Sequence, residues 1–218
     1  MSDLKHLLEQ NKIWAKRIKE EDPRFFENSA RMQSPEYLWI GCSDSRITPD
    51  ASLNMQPGEM FVHRNIANLV IPNDINCLAV MQYAVEVLNV RHIIICGHYG
   101  CGGVKAAYDP STLGPIENWL SYVRTLMRKH HYEIESITDE NERLDRICEI
   151  NVIEQIIGTG ETTIITEAWR RGQAITVHGW IYLVAEGIYN DLNFSIKSAE
   201  DLDVLREQMR PRENSVGI

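Results

Sequence analysis

The chain has 218 residues, 44% of them hydrophobic and 24% charged, a balance that suits one soluble globular domain with a full core. A formal net charge of −9 with scattered basic residues excludes the electrostatic footprint of a nucleic-acid binder. No stretch approaches the roughly 20 apolar residues of a membrane-spanning helix, so no membrane partner is expected. Residues 1–10 interrupt their apolar pattern with charges instead of forming the apolar centre of a secretory signal, and the expected location is cytoplasmic. The cysteines stand at 42, 77, 96, 101 and 148; an odd number in a chain of this length argues against a disulfide framework and for reduced thiols.

Leu4, Leu7, Leu8, Ile13, Trp14 and Ile18 recur at helical spacing among Lys and Glu, so residues 1–20 read as an amphipathic helix. Glu21, Asp22 and Pro23 mark a new start, and residues 24–32 read as a second short helix. Both precede the first strand, which makes residues 1–34 an arm that packs on a partner subunit. Residues 37–40 and 59–63 read as short buried strands. Residues 74–88 read as a helix with Ile75, Leu78, Ala79, Tyr83 and Val87 on one side. The β-branched run 90–96 follows as a strand. Residues 116–129 and 140–157 have helical period, residues 173–179 read as a strand, and a helix is expected over 183–189. Helices alternating with buried strands imply an α/β fold: a mainly parallel sheet flanked by helices, with ligands beyond the carboxyl ends of the strands. The polar tail 210–218 is expected to fray.

Cys42 follows the first predicted strand, and His98 with Cys101 follows the third. Two thiolates and an imidazole at one sheet edge suit zinc, and three protein ligands leave a fourth position for water. Taken singly, each cysteine is equally a small buried hydrophobe, and His-x-x-Cys alone is a weak pattern.

The context of these ligands is specific: Cys42-Ser43-Asp44-Ser45-Arg46 in the first loop, and Gly97-His98-Tyr99-Gly100-Cys101-Gly102-Gly103 in the second. Together with Glu59-Met60-Phe61-Val62-His63-Arg64-Asn65-Ile66-Ala67-Asn68, they resemble the β-class carbonic anhydrases from about Leu38 to Gly179, and more loosely to both ends. The resemblance implies one domain over residues 1–218, with 35–218 as α/β core and C-terminal region. It implies one Zn2+ per subunit on Cys42, His98 and Cys101, and reversible hydration of CO2 to bicarbonate by zinc-bound hydroxide. Asp44 and Arg46 become the dyad beside the metal. Asp44 either accepts a hydrogen bond from the nucleophile or binds zinc as a fourth ligand in an inactive state, and the planar fork of Arg46 suits holding it off the metal. A plain loop ion pair is the other reading of that dyad.

The resemblance also places Gln33, Phe61, Ile66 and Tyr83 around the CO2 pocket, with Gln33 and Tyr83 supplied by a partner subunit of a homodimer or tetramer. Core packing is the alternative for Phe61, Ile66 and Tyr83. Ile66 stands where valine is more usual in the family and should trim the pocket. The Gly102 N–H is a candidate donor to bicarbonate. Some bacterial members are switched off by bicarbonate held away from zinc, at a site that resembles Trp39, Gly41 and Arg64 with Tyr182 nearby. Otherwise Trp39 is core and Arg64 pairs with a carboxylate.

Cys77, Cys96 and Cys148 read as buried, His63 and His178 as structural histidines, and His6, His92, His130 and His131 as surface residues. The acidic stretch 133–142 reads as a solvated lead-in to a helix. Zinc deaminases need His-x-Glu together with Pro-Cys-x-x-Cys, and the cysteine pattern does not occur. A closed structural zinc site with Asp44 as permanent fourth ligand is the non-catalytic alternative, and a redox role lacks a Cys-x-x-Cys pair.

Overall fold

The structure is a computed structural model that describes residues 4–31, 33–109 and 114–211. Two helices lead, α1 (Lys5–Glu21) and α2 (Phe25–Arg31). They are followed by β1 (Tyr37–Cys42), α3 (Pro49–Ser52), β2 (Met60–Asn65), a 3-10 turn (Ile66–Asn68) and α4 (Ile75–Gln82). After a π-helical turn (Tyr83–Val87) come β3 (His92–His98), α5 (Gly102–Tyr108), α6 (Ile116–Lys129), α7 (His131–Ser136) and α8 (Glu140–Gly160). The chain continues through α9 (Thr163–Arg170), β4 (Thr176–Leu183), β5 (Ile188–Ile196) and α10 (Ala199–Gln208).

The five strands lie in the order β2-β1-β3-β4-β5, the first four parallel and β5 antiparallel to β4. The α/β expectation holds. In this order the chain reverses its direction of travel across the sheet between β1 and β3, the switch point where open α/β sheets leave a crevice beyond the strand ends. Cys42 ends β1 and His98 ends β3, so both stand at that crevice.

Strand β1 is buried on both faces, with Leu38, Trp39 and Ile40 at most 1% exposed, as a central parallel strand requires. Helix α8 lies across β3 and β4 at close range. A Cβ on Gly97 would stand 2.6 Å from Val152 Cγ2 and 3.1 Å from Ile181 Cδ1. Asp139 caps α8, its carboxylate accepting from the N–H groups of Asn141 and Glu142.

Several boundaries move from their expected places. Strand β3 runs on to His98 because its ladder with β4 continues through Gly97↔Ile181 and His98↔Tyr182. The helix expected over 74–88 is present, yet its last turn widens, with the Leu88 N–H bonding to the Tyr83 carbonyl five residues back. The helix expected over 183–189 is absent. Gly187 takes φ +71°, its N–H bonds to the Leu183 carbonyl, and the chain reverses into β5 as a hairpin. Leu192, Phe194 and Ile196 point inward at period two, beyond the stretch read as helix. The second arm helix ends at Arg31, and its expected last residue Met32 lies outside the described residues, as does 212–218 of the tail.

His130 is a further correction: it is 4% exposed, not a surface residue, and Nε2 lies 2.6 Å from Glu154 Oε1, a pairing that offsets its burial. The carboxylates of the acidic stretch are exposed, as expected, and Glu133 also bonds to Arg146 at 2.6 Å. Cys77, Cys96 and Cys148 are buried as expected.

Because Val152 is β-branched and fully buried, it has little freedom to retreat from an added methyl at position 97. Gly97→Ala should therefore destabilise the fold by about 1–3 kcal/mol through overpacking, read as a lowered midpoint in urea denaturation. An unchanged midpoint would contradict this packing.

Candidate metal centre

Strand β1 delivers Cys42 and strand β3 delivers His98, and a tight turn brings Cys101 back beside them. Gly100 takes φ +65° in that turn, a conformation that glycine adopts without steric cost. The Cys42 and Cys101 sulfurs stand 3.9 Å apart, and the ligand atoms of Cys42, His98 and Cys101 all lie within 4.8 Å of one another. Two sulfurs each about 2.3 Å from a tetrahedral ion would stand roughly 3.8 Å apart, close to the spacing found.

The imidazole is oriented from behind. His98 Nδ1 donates to the Tyr99 carbonyl at 3.1 Å, which leaves Nε2 as a lone pair facing the two sulfurs. That Nε2 is buried and has no hydrogen-bond partner. An unpartnered buried nitrogen is costly in a protein interior, and a cation between it and the sulfurs removes the cost. The Cys42 thiol is lowered to about 4, chiefly by the hydrogen bond from Cys101 and further by the backbone N–H groups of Ala67 and Asp44, acting against burial. Cys101 is pushed upward by serving as that donor and by its own burial. The donor set thus fits a soft divalent ion of the zinc type.

Asp44 and Arg46 occupy the loop after β1. Arg46 Nε donates to Asp44 Oδ1 at 2.9 Å and Nη2 to Oδ2 at 2.7 Å, while the Arg46 backbone N–H adds a third bond to Oδ1 at 3.0 Å. The guanidinium holds the Asp44 carboxyl well below the usual carboxylate range. Asp44 Oδ2 still lies 3.8 Å from His98 Nε2, so the carboxylate borders the centre without entering it.

The residues expected around the pocket make two separate contacts within one chain. Ile66 packs over the start of α5, where its Cγ2 would be 2.7 Å from a Cβ on Gly103, and the space beside Gly102 is open. Phe61 and Tyr83 pack against each other at 5.9 Å. Tyr83 is 45% exposed, Ile66 is 37% exposed, and Gln33 is exposed, so this apolar surface is uncovered in a single chain.

Arg64, expected to meet an anion or a carboxylate, bonds to backbone here: Nε and Nη2 donate to the Cys42 carbonyl at 3.0 and 2.9 Å, and Nη2 to the Asp44 carbonyl at 2.7 Å. Trp39 Nε1 is buried without a partner, and a Cβ on Gly41 would stand 2.3 Å from it. Tyr182 stacks on Tyr189 at 4.5 Å, and Trp39 meets Tyr189 at 5.5 Å. Tyr189, whose hydroxyl lies 2.5 Å from Ser52 Oγ, escaped the sequence reading because the hairpin that carries it was read as helix.

Among the described residues a second trio converges, His63, Asp74 and Cys77. Its chemistry disfavours a metal. The Asn65 carboxamide is fixed by bonds to both the N–H and carbonyl of Leu69, so its Nδ2 is the donor to His63 Nε2 at 3.2 Å and occupies that lone pair. Burial pushes the Cys77 thiol up to about 12, and Asp74 caps α4.

A family model described as carbonic anhydrase matches residues 37–189. A carbonic anhydrase of Emericella nidulans is 43% identical over 187 residues, covering 86% of this chain and 82% of that protein. A β-carbonic anhydrase of Coccomyxa, solved in complex with acetazolamide, superposes with a TM-score of 0.89 at 37% identity, over 95% of this chain and 96% of that one. One of two tetrameric β-carbonic anhydrases from Sordaria macrospora gives a TM-score of 0.84 at 42% identity, over 88% and 98%. The chain belongs to the β-carbonic anhydrase family, and it is a carbonic anhydrase, a lyase acting on carbon dioxide and bicarbonate. No helix among the described residues is long and apolar enough to cross a membrane.

Proposed function

We propose that the whole chain works as one domain that hydrates carbon dioxide at a single zinc ion held by Cys42, His98 and Cys101. The observation that carries this reading is the unpartnered His98 Nε2 facing two sulfurs 3.9 Å apart. Zinc in such a site supplies the Lewis acidity that makes a water nucleophilic near neutral pH. Asp44, its two oxygens held in the Arg46 fork, borders the open position as a hydrogen-bond acceptor that orients the attacking water. Ile66, Phe61 and Tyr83 offer carbon dioxide an apolar wall, and the open space at Gly102 leaves its N–H available to a bicarbonate oxygen. Five unbridged, buried thiols support a reducing, cytoplasmic setting.

The purified protein should carry one zinc per chain and hydrate carbon dioxide in stopped flow. His98→Ala should lose both metal and turnover, whereas Arg46→Ala should keep the metal and lose roughly 10²-fold in rate, because Asp44 is no longer aimed. A metal-bearing wild type with no turnover at any pH would favour the closed structural site instead.

Regulation by bicarbonate is the second reading, favoured by the buried, unpartnered Trp39 Nε1. Arg64 bonds directly to the carbonyls of Cys42 and Asp44, so an anion that draws its guanidinium toward Trp39 also releases the loop carrying Asp44. Asp44 then reaches the metal and shuts the centre. Near pH 7 the hydration rate should fall cooperatively as bicarbonate rises, and Trp39→Phe should abolish that fall. A simple hyperbolic response in the wild type sinks this reading.

The arm supports a two-fold partner. Leu4, Leu7, Leu8 and Ile13 are each at least 55% exposed, and Trp14 packs on Phe26 of α2 and not on the sheet. A second copy covering this face is the economical remedy. Light scattering after gel filtration should give a dimer or tetramer for the wild type and a smaller species for the Leu8→Glu/Ile13→Glu variant. A monomeric wild type would exclude this role of the arm.

A further inference from the structure

Helix α8 carries a row of polar side chains on its buried face. Asn151, Gln155 and Thr159 are spaced four apart and are 1%, 8% and 0% exposed, flanked by Ile150, Val152, Ile153 and Ile156. Polar groups in such surroundings persist where they satisfy other buried polar groups. Here the groups are those of residues 66–70, a stretch that leaves β2 and, without strand partners, runs under the metal centre. Gln155 Oε1 accepts from the Val70 N–H at 2.8 Å, Gln155 Nε2 donates to Asn151 Oδ1 at 3.0 Å, and Asn151 Nδ2 donates to the Ala67 carbonyl at 2.9 Å. Trp119 Nε1 holds the Ile66 carbonyl at 2.8 Å, and Asn65 closes on both backbone groups of Leu69.

What this scaffold holds is strained. Ala67 sits at φ 64°, ψ 27°, left-handed for a residue with a Cβ, and Asn68 follows at φ 49°. Such a pair persists only where its surroundings over-determine it. Its consequence is local: Ile66 and Ala67 pack against Gly103, two residues beyond Cys101, where a Cβ would stand 2.7 Å from Ile66 Cγ2, 3.2 Å from Ala67 Cβ and 3.5 Å from the Ala67 nitrogen.

We propose that Asn151 and Gln155 are positioning residues of the metal centre, a carboxamide ladder that holds Ala67 in its left-handed conformation and thereby seats residues 66 and 67 against Gly103, beside the turn that carries Cys101. Thr159 continues the row, but its Oγ1 has no hydrogen-bond partner, so it provides an internal control. The inference rests on Cys101 being a metal ligand.

The test uses the full-length protein with cobalt in place of zinc, read by its thiolate-to-cobalt charge-transfer absorption, together with zinc affinity by chelator competition. The energy of that band follows the placement of the thiolate sulfurs about the cobalt. Releasing residues 66 and 67 from Gly103 should therefore shift the band in Asn151→Leu and, to a smaller degree, in Gln155→Met, with zinc affinity falling roughly 10–100-fold in Asn151→Leu. Thr159→Val should leave both unchanged. If Asn151→Leu does not fold, the milder Gln155→Met decides the matter by the same band. Variants that melt at lower temperature with an unmoved band and unchanged affinity overturn the positioning role and leave the ladder a matter of stability alone. Absence of the band in the wild type would sink the metal reading beneath it, a different failure.

Discussion

Parallel pairing of β1 with β3 sets Gly41 against Cys96, and the chemistry stands just beyond that pair, at Cys42 one residue on and at His98 two residues on. Cys42 ends one strand and His98 ends the other, at the point where the sheet's order reverses. A slip of one residue in that pairing would move Cys42 by about 3.3 Å along the strand relative to His98 and turn its side chain over, so the register and the metal centre are one constraint. The same register is defended by burial. Leu38 and Ile40 on β1 and Ile93 and Ile95 on β3 have no exposed surface, and moving them would expose a core instead of exchanging it for another.

Around that constraint the chain solves a repeated problem, satisfying polar atoms where water is excluded. Arg46 occupies Asp44, Arg64 occupies the carbonyls of Cys42 and Asp44, and side-chain amides occupy residues 66–70. The loop bearing Asp44 is therefore gripped from two directions, by a guanidinium on its side chain and another on its backbone. The His98 nitrogen is left over facing two sulfurs, where a cation would complete it, and Trp39 Nε1, Asn68 Nδ2 and Thr159 Oγ1 are also without a partner. That pattern separates the metal centre from the His63, Asp74 and Cys77 trio, whose donors are already occupied or held as neutral thiol.

The uncovered surfaces point the same way. Apolar side chains stay exposed on the arm and near the pocket, at Ile13, Tyr83 and Ile66, while the sheet's own faces are filled. Exposed apolar side chains of this kind are what a second copy would cover, and the relatives from Sordaria macrospora are tetrameric.

Much of this was legible in the residues themselves. Period and composition located α1, α6 and most of α8, and the β-branched run located β3, because an amphipathic helix or a buried strand carries its partner's shadow in its own pattern. The ligand set was legible because Cys42, Asp44, Arg46, His98 and Cys101 keep close spacings within two short loops. What the chain alone did not disclose is whatever depends on distant pairing. Tyr189 was hidden because Gly187 makes a hairpin whose far strand is half polar, and His130 was misjudged because its partner Glu154 lies on another helix. Asn151 and Gln155 do stand out as amides four apart in an isoleucine-rich run, yet their partners lie more than 80 positions away. Local sequence thus determined which atoms are available for chemistry. Only the tertiary structure decided which of them are already satisfied, since satisfaction depends on neighbours that the fold alone supplies.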